Sequence, residues 1–171
     1  YELVLAAQSA ALAAVAPGRR YSDIHDSAVN VLAQGMLDVG LLDKAVYGNA
    51  ENAIAERAHL QFYMHGTGHW LGLDVHDAGA YRDVHSEGKP SRPLQPGMVL
   101  TVEPGIYVRP AAGVPEQFWN IGIRIEDDVV VTQDGCTVLS AAAPKLVLAK
   151  PRGAEPGPDP DPAPGPAGQL G

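Results

Sequence analysis

The sequence predicts an α+β fold in which helices come first and short strands follow. Two observations predict this class: apolar residues recur at helical spacing up to about residue 60, and short apolar runs separated by turn signals dominate residues 62–140. A third observation is that helix and strand patterns do not alternate regularly, which argues against a parallel α/β sheet. A chain of 171 residues is long enough for one domain with a sizeable core.

Three helices are predicted before residue 61. The first covers residues 1–16, which are rich in Ala and Leu and end at a Pro-Gly pair. The second is predicted to start with Ser22 as its cap and to end at Gly40, because the apolar residues between them have helical spacing. The third covers residues 49–60. The first helix has no capping residue at its start, and we interpret this as a sign that sequence is missing upstream.

Short strands are predicted for the second half of the chain, each bounded by turn residues such as Pro-Gly and Asp-Gly. We expect these strands at residues 99–103, 106–109, 121–127 and 129–132. They complete a predicted domain of residues 1–148. In residues 149–171 Pro and Gly dominate, and few large apolar side chains are present to offset the entropy of ordering. We therefore predict that this last segment is a disordered tail.

Composition argues against several functional classes. The formal net charge of −8 disfavours a nucleic-acid partner, since phosphate binding requires clustered Lys and Arg. No apolar run approaches the roughly 18 residues of a membrane-spanning helix, so no membrane partner is expected. The single cysteine, Cys136, cannot form an internal disulfide, which fits a reducing compartment and makes the cytoplasm the expected location. The sequence leaves the oligomeric state open, a homo-oligomer included.

Histidines and glycines are concentrated at residues 65–77, where three of the six histidines lie. His65 and His69 have the spacing of a helical metal-binding pair. Because glycines separate them, a helix is disfavoured and a glycine-rich loop is expected, followed by His76 in a short extended segment. Three histidines among glycines indicate a functional site. The alternative is that each histidine only satisfies a structural hydrogen bond.

Two carboxylates lie within apolar strand patterns. Glu103 ends one predicted strand, and Glu126 lies in another, on the same strand face as Arg124. A carboxylate in such surroundings is costly to bury unless a cation or hydrogen-bond donors compensate it. The alternative to a ligand role is an ion pair with Arg124 for Glu126, and a solvent-exposed strand end for Glu103.

One or more histidines with two glutamates suit a divalent metal bound by nitrogen and oxygen. Mn, Co, Fe or Zn fits this donor set better than Cu(I), which prefers thiolates. Such a metal lowers the pKa of bound water and polarises a carbonyl for hydrolysis. Glu103 could move a proton, and histidines that do not coordinate could hold a substrate carbonyl or tetrahedral intermediate. The residues by themselves thus predict a metallohydrolase-like site without naming its substrate.

The same residues resemble the C-terminal catalytic region of aminopeptidase P, the Xaa-Pro aminopeptidases of the pita-bread metallopeptidase family. Three motifs carry the resemblance, in the same order and at family-like spacing: residues 65–77, 96–107 and 120–128. Weaker similarity over the helices extends the match to about residues 1–145. The resemblance implies a pita-bread fold that is incomplete at its N-terminal side.

The resemblance also implies an activity and a cofactor. Proteins of this family hold two metal ions, usually manganese, and remove an N-terminal residue that precedes proline, so the implied partner is a peptide with proline at its second position. By motif position, His69 resembles a histidine ligand of one metal. Glu103 resembles a ligand of the same metal and the proton shuttle. Glu126 resembles the carboxylate that bridges both metals.

Four further residues resemble groups on the substrate side of the family's site. His65 and His76 resemble the catalytic histidines that contact substrate and stabilise the intermediate. Arg124 and Tyr107 resemble residues that support this substrate-binding side. Their roles come from the resemblance and not from the spacing of the residues.

The sequence departs from the family pattern on its N-terminal side. The family also has two aspartate ligands on an upstream β-hairpin and an upstream substrate histidine, and no such hairpin pattern is found here. The candidate aspartates lie in or beside predicted helices: Asp23, Asp26, Asp38 and Asp43. We therefore expect an enzyme fragment that lacks two ligands of the second metal.

Two alternatives to an Xaa-Pro aminopeptidase remain at this stage. One is an Xaa-Pro dipeptidase (prolidase), which cuts only dipeptides, although residues 114–120 look more like aminopeptidase P. The other is a non-catalytic pita-bread remnant that acts as a binding module.

Overall fold

Two long helices form one layer of the fold in the computed structural model, which describes residues 1–145. They are α1 (Glu2–Ala13) and α2 (Tyr21–Asp38). Each turns a fully buried apolar stripe toward the core, including Ala7 of α1 and Leu32 of α2. At Gly35 the two helices approach so closely that an added Cβ would collide with the side chain of Leu3. Small residues therefore set the spacing between the helices.

The start of α2 differs from the prediction. Its cap is Arg20 and not Ser22, because the Asp23 carboxylate accepts the backbone N–H of Arg20 at 2.9 Å. Ser22 lies inside the helix, where its free N–H donates to the hydroxyl of Ser91 at 2.8 Å. A side chain three residues into the helix thus moves its start upstream.

The predicted third helix, residues 49–60, is divided in the structure. Its first part is α4 (Ala50–Ala55), and a short 3₁₀ turn (Ala58–Gln61) follows. Between them Arg57 adopts a left-handed conformation with φ 59°, which interrupts the helical hydrogen bonds. A four-residue helix that the sequence did not predict, α3 (Lys44–Tyr47), precedes α4 and is capped by the side chain of Asp43.

Five short strands form two antiparallel sheets, which make up the second layer. The three-stranded sheet has the order β1-β4-β5, and the two-stranded sheet pairs β2 with β3. The strands are β1 (Val99–Val102), β2 (Gly105–Val108), β3 (Ile121–Arg124), β4 (Asp127–Val131) and β5 (Cys136–Val138). The last of these was not predicted. The α+β class is confirmed.

One interruption separates the β1–β4 ladder from the β2–β3 ladder. Val102 pairs with Asp127 at the end of one ladder, and Gly105 pairs with Arg124 at the start of the other. Pro104 lies at the break, where its missing N–H cannot continue the pairing. The predicted continuous strand at residues 121–127 is therefore wrong, because the chain changes ladders within it.

The described residues end before the predicted tail. Residues 149–171 and the proposed boundary at residue 148 lie outside them, so those predictions stay untested. Within residues 1–145, no helix has both the length and the apolar character needed to cross a bilayer.

Candidate metal centre

The glycine-rich loop lies along β1 in the manner of an extra strand. The backbone N–H of Thr101 donates to the His69 carbonyl at 2.9 Å, and that of Glu103 donates to the Thr67 carbonyl at 2.6 Å. A Cβ at Gly68 would collide with the Thr101 carbonyl. The glycine therefore allows a backbone approach that brings His69 beside Glu103.

Three predicted ligand residues converge at the interruption between the ladders. One donor atom from each of His69, Glu103 and Glu126 lies within 4.8 Å of the other two. His69 Nε2 is 3.3 Å from Glu103 Oε1. Glu103 follows β1 and Glu126 precedes β4, so the end of their ladder sets both positions. The alternative of a solvent-exposed strand end is excluded for Glu103, since Glu103 is buried with 7% exposure.

The orientation of the His69 ring suits a metal ligand. Its Nδ1 lies 2.9 Å from the Trp70 carbonyl oxygen, which can only accept, so Nδ1 carries the proton. The lone pair of Nε2 then points at the carboxylate oxygen of Glu103. Two acceptors that face one another require a cation or a proton between them. A backbone carbonyl that fixes the far nitrogen of a metal-bound histidine is a common arrangement.

Both oxygens of Glu103 have partners. The Thr101 hydroxyl donates to Oε1 at 2.9 Å, and the Arg124 guanidinium donates to Oε2 at 3.2 Å. The Thr101 hydroxyl also accepts the backbone N–H of His69 at 3.0 Å. One threonine therefore aligns two candidate ligands. Sequence reasoning missed Thr101, although its position two residues before Glu103 puts both on the same strand face.

Glu126 lies in negatively charged surroundings. Loss of solvation raises the pKa of its carboxyl above the ordinary value, and the charges of Glu103 and Asp128 raise it further. The alternative role for Glu126 was an ion pair with Arg124, but Arg124 forms its ion pair with Glu103, at 3.2 Å. A bound divalent cation would relieve the repulsion between the two glutamates. The donor set of one imidazole and two carboxylates fits such a cation.

A hydrogen-bonded chain links the other predicted residues to the ligand cluster. Arg124 Nε donates to the Tyr107 hydroxyl at 2.5 Å, and this hydroxyl lies 2.9 Å from Nε2 of His65. His65 Nδ1 is 2.7 Å from the Gly66 carbonyl, so Nε2 is its acceptor and Tyr107 donates to it. Arg124 also contacts Glu103, which joins this chain to the candidate ligands.

His76 lies beside the candidate ligand His69. Its ring centroid is 4.2 Å from that of His69, and its side chain is exposed. The residues around it form bends and not the extended segment that the sequence predicted. The structure thus brings all the predicted site residues into one continuous group: His65, His69, His76, Glu103, Tyr107, Arg124 and Glu126.

A buried polar cluster supports the loop from behind. Thr67 is 2.8 Å from His25 Nδ1 of α2 and 2.6 Å from the Tyr63 hydroxyl. Burial lowers the pKa of His25 below its ordinary value and raises the pKa of Tyr63 to about 12. Tyr21 donates to the Gly68 carbonyl in the same region. The sequence carried no local signal for this cluster, because its members come from separate elements.

The aspartates considered from the sequence are all held by helices. Asp23, Asp26 and Asp38 lie in α2, and Asp43 caps α3. Over the part of the chain that the structure describes, the ligand cluster contains one histidine and two glutamates but no aspartate.

Comparison with known proteins identifies similar sequences. The profile of metallopeptidase family M24 matches residues 1–133. The chain is 46% identical over 145 residues to the Xaa-Pro aminopeptidase of Haemophilus influenzae, covering 85% of this chain and 32% of that protein. It is 44% identical over 145 residues to the Xaa-Pro aminopeptidase of Escherichia coli, covering 85% of this chain and 31% of the relative. The chain therefore spans about a third of the length of these curated relatives.

Solved structures show the same fold. The aminopeptidase PepP of Pseudomonas aeruginosa superposes with a TM-score of 0.78 at 48% identity, over 85% of this chain and 31% of that one. Aminopeptidase P of E. coli with the inhibitor Pro-Leu superposes with a TM-score of 0.74 at 44% identity, over 83% of this chain and 30% of that one. The described residues thus have the pita-bread fold of these enzymes, as the sequence predicts.

Proposed function

Since the chain belongs to metallopeptidase family M24, we propose that it supplies part of the catalytic centre of an Xaa-Pro aminopeptidase. The reaction is the metal-dependent hydrolysis of the N-terminal residue from peptides with proline at the second position. The names of its relatives support this specificity, because the similar proteins of H. influenzae and E. coli are Xaa-Pro aminopeptidases. The activity belongs to the complete protein, since the chain covers 32% of the H. influenzae relative.

One observation carries the proposal: a histidine and two glutamates converge where the β1–β4 and β2–β3 ladders separate. The ring of this histidine is oriented by a hydrogen bond from its Nδ1 to a backbone carbonyl. His69, Glu103 and Glu126 would hold the metal. A bound divalent cation supplies an acidic water and polarises the scissile carbonyl. We propose manganese as the ion, with two ions in the complete enzyme, although cobalt, zinc or iron suits the same donors. Two aspartate ligands from outside these residues would complete the second position.

The proposed roles of the other side chains come from the family resemblance and are compatible with their contacts. Glu103 is the proposed proton shuttle, with Arg124 and Thr101 fixing its two oxygens. His65 contacts Tyr107 and Arg124, and the ring of His76 lies next to that of His69. We propose that both histidines bind the substrate carbonyl and stabilise the charge that develops on it. Tyr107 and Arg124 hold His65 in place on the substrate side.

The Glu126→Gln substitution in the full natural protein tests this assignment. The change keeps the side-chain shape but removes the charge that would hold the metal. We expect Mn²⁺ affinity and Xaa-Pro cleavage to fall together, by about 100-fold or more for activity, since loss of one ligand removes both binding and alignment. Mn²⁺ titration followed by electron paramagnetic resonance and a peptide cleavage assay measure the two effects.

Glu56→Gln is the matched control, because Glu56 is an exposed carboxylate at the end of α4. It should leave both affinity and turnover unchanged. Full Mn²⁺ binding and activity in Glu126→Gln would contradict the ligand role. Substrate length separates the two peptidase activities: cleavage of an Xaa-Pro-Yaa tripeptide supports the aminopeptidase, and cleavage of Xaa-Pro dipeptides alone supports the dipeptidase.

The proposed setting of this activity is the cytoplasm. Cys136 is the single cysteine of the sequence and is a free thiol in the structure. A free, partly buried thiol is compatible with a reducing compartment. Fractionation of cells that express the natural gene would test the location directly.

A further inference from the structure

Asp127 is a buried carboxylate to which the proposed mechanism assigns no role. Its side chain is only 1% exposed, yet it lies directly after the candidate ligand Glu126. Three side chains from distant parts of the sequence donate to it: Gln8 at 2.9 Å, Ser140 at 2.6 Å and Lys145 at 2.7 Å. A carboxylate buried this deeply is normally compensated on all sides, and here the compensation comes from outside its own ladder.

The donors tie separate elements to the start of β4. Gln8 is on the buried face of α1, whereas Ser140 and Lys145 follow β5. Lys145 is itself held, because its carbonyl accepts a hydrogen bond from the Tyr1 hydroxyl at 2.8 Å. The first strand residue of β4 is therefore anchored to both the helical layer and the end of the described chain.

The register shows what this anchoring does to the site. Asp127 pairs with Val102 at the end of the β1–β4 ladder. Glu126 precedes Asp127 and Glu103 follows Val102, so both glutamates lie just beyond this pair. Side chains of successive strand residues point to opposite faces. Asp127 and Val129 are both buried on one face of β4. The side chain of Glu126 therefore points to the other face, where His69 lies. A slip or rotation at Asp127 would move the Glu126 carboxylate away from the ligand atoms of His69 and Glu103.

We propose that Asp127 is a positioning residue for the metal centre: its contacts with Gln8, Ser140 and Lys145 hold Glu126 in the ligand geometry. This inference rests on the proposed metal-dependent function. Asp127 does not touch the ligand cluster and acts through the backbone of its neighbour. Outer residues that orient a ligand typically contribute about 10- to 100-fold to metal affinity when they are changed.

Asp127→Asn in the full natural protein tests the proposal. The amide keeps the size of the side chain but puts a donor against the donors of Lys145 or Gln8. We expect the Kd for Mn²⁺ alone to rise about 10- to 100-fold, measured by electron paramagnetic resonance well below the unfolding temperature. Val129→Ala is the matched control, since it perturbs the same buried face of β4 but leaves the hydrogen bonds and the ion pair of Asp127 in place. It should lower the unfolding temperature and leave the Kd unchanged.

The outcomes separate positioning from stability and from the proposed function. Gln8→Leu removes a single donor and remains informative if Asp127→Asn does not fold; a smaller rise in the Kd supports the proposal. Unchanged Mn²⁺ affinity in these variants, relative to Val129→Ala, overturns the positioning role while the metal function stands. Failure of the unaltered protein to bind Mn²⁺ overturns the proposed function and this inference together.

Discussion

Gly68 shows how a single residue determines whether the candidate site can form. It lies in the loop between two histidines, and its backbone faces that of Thr101 in β1 with no room for a Cβ. The contact matters because the neighbouring His69 must reach Glu103, and the two donors are 3.3 Å apart. Steric exclusion at one Cα therefore controls the approach of two ligands.

The Gly68→Ala substitution should separate the loop from β1. The added methyl group meets a backbone carbonyl that cannot rotate away, so we expect a stability loss of about 1–3 kcal/mol. Mn²⁺ affinity should fall as well, because His69 moves with the loop. Gly66→Ala is the control from the same loop, since a Cβ there meets only an ordinary contact with Gly68 at 3.9 Å. Urea denaturation measures stability, and equal effects of the two substitutions would contradict the steric explanation.

At the scale of elements, α2 supports the loop through a polar contact and not only through apolar packing. His25 projects from α2 to the hydroxyl of Thr67, which also meets Tyr63. Burial lowers the pKa of His25, and the charge of Asp26 opposes the shift without cancelling it. The neutral form of His25 is thus favoured in the folded protein, which couples the attachment between helix and loop to pH.

The pH dependence of stability should reflect this contact. Because the pKa of His25 is lower in the folded state than its ordinary value of 6.5, the folded protein binds fewer protons. Its contribution is complete above that ordinary value and is lost as the pH falls through the folded-state pKa. We expect His25→Gln to weaken the decline in the urea midpoint between about pH 7.5 and pH 5. An unchanged decline would assign the effect to other groups, such as His59, whose pKa burial also lowers.

At the scale of the whole molecule, the candidate metal site lies at the interruption between the β1–β4 and β2–β3 ladders. Residues of α1, α2 and the strands share one buried core. The two ladders part where Pro104 interrupts the pairing. Glu103 and Glu126 both lie within this break, one on each of the two antiparallel segments that cross it. The loop that carries His69 runs beside Glu103.

The stability of the whole domain should depend on the buried core of the helical layer and not on its exposed apolar residues. Leu32 is fully buried in the helical layer, whereas Val46 is 65% exposed in α3. We expect Leu32→Ala to cost about 2–5 kcal/mol, because it leaves a cavity in the core. Val46→Ala should change stability by no more than about 0.5 kcal/mol. Thermal unfolding measures both, and a small effect of Leu32→Ala would show that the helical layer repacks around the cavity.

The sequence alone was sufficient for the α+β class, the long helices and the grouping of His69 with Glu103 and Glu126 through motifs that resemble a known family. Helical periodicity and strand-like runs are local properties, so they can be recognised without any tertiary contact. Element boundaries were less accurate. The start of α2, the division of the third helix and the missed β5 each depend on one side chain or on long-range pairing.

Only the tertiary structure decided how the site is assembled. It paired Arg124 with Glu103 and not with Glu126, divided the predicted strand at residues 121–127, and surrounded Asp127 with donors from α1 and from beyond β5. These features join residues that are up to 119 positions apart, as Gln8 and Asp127 are. Local patterns specify which face a side chain occupies within its element. The partner across that face is set by how the layers pack, and a single sequence does not encode that packing in any local period.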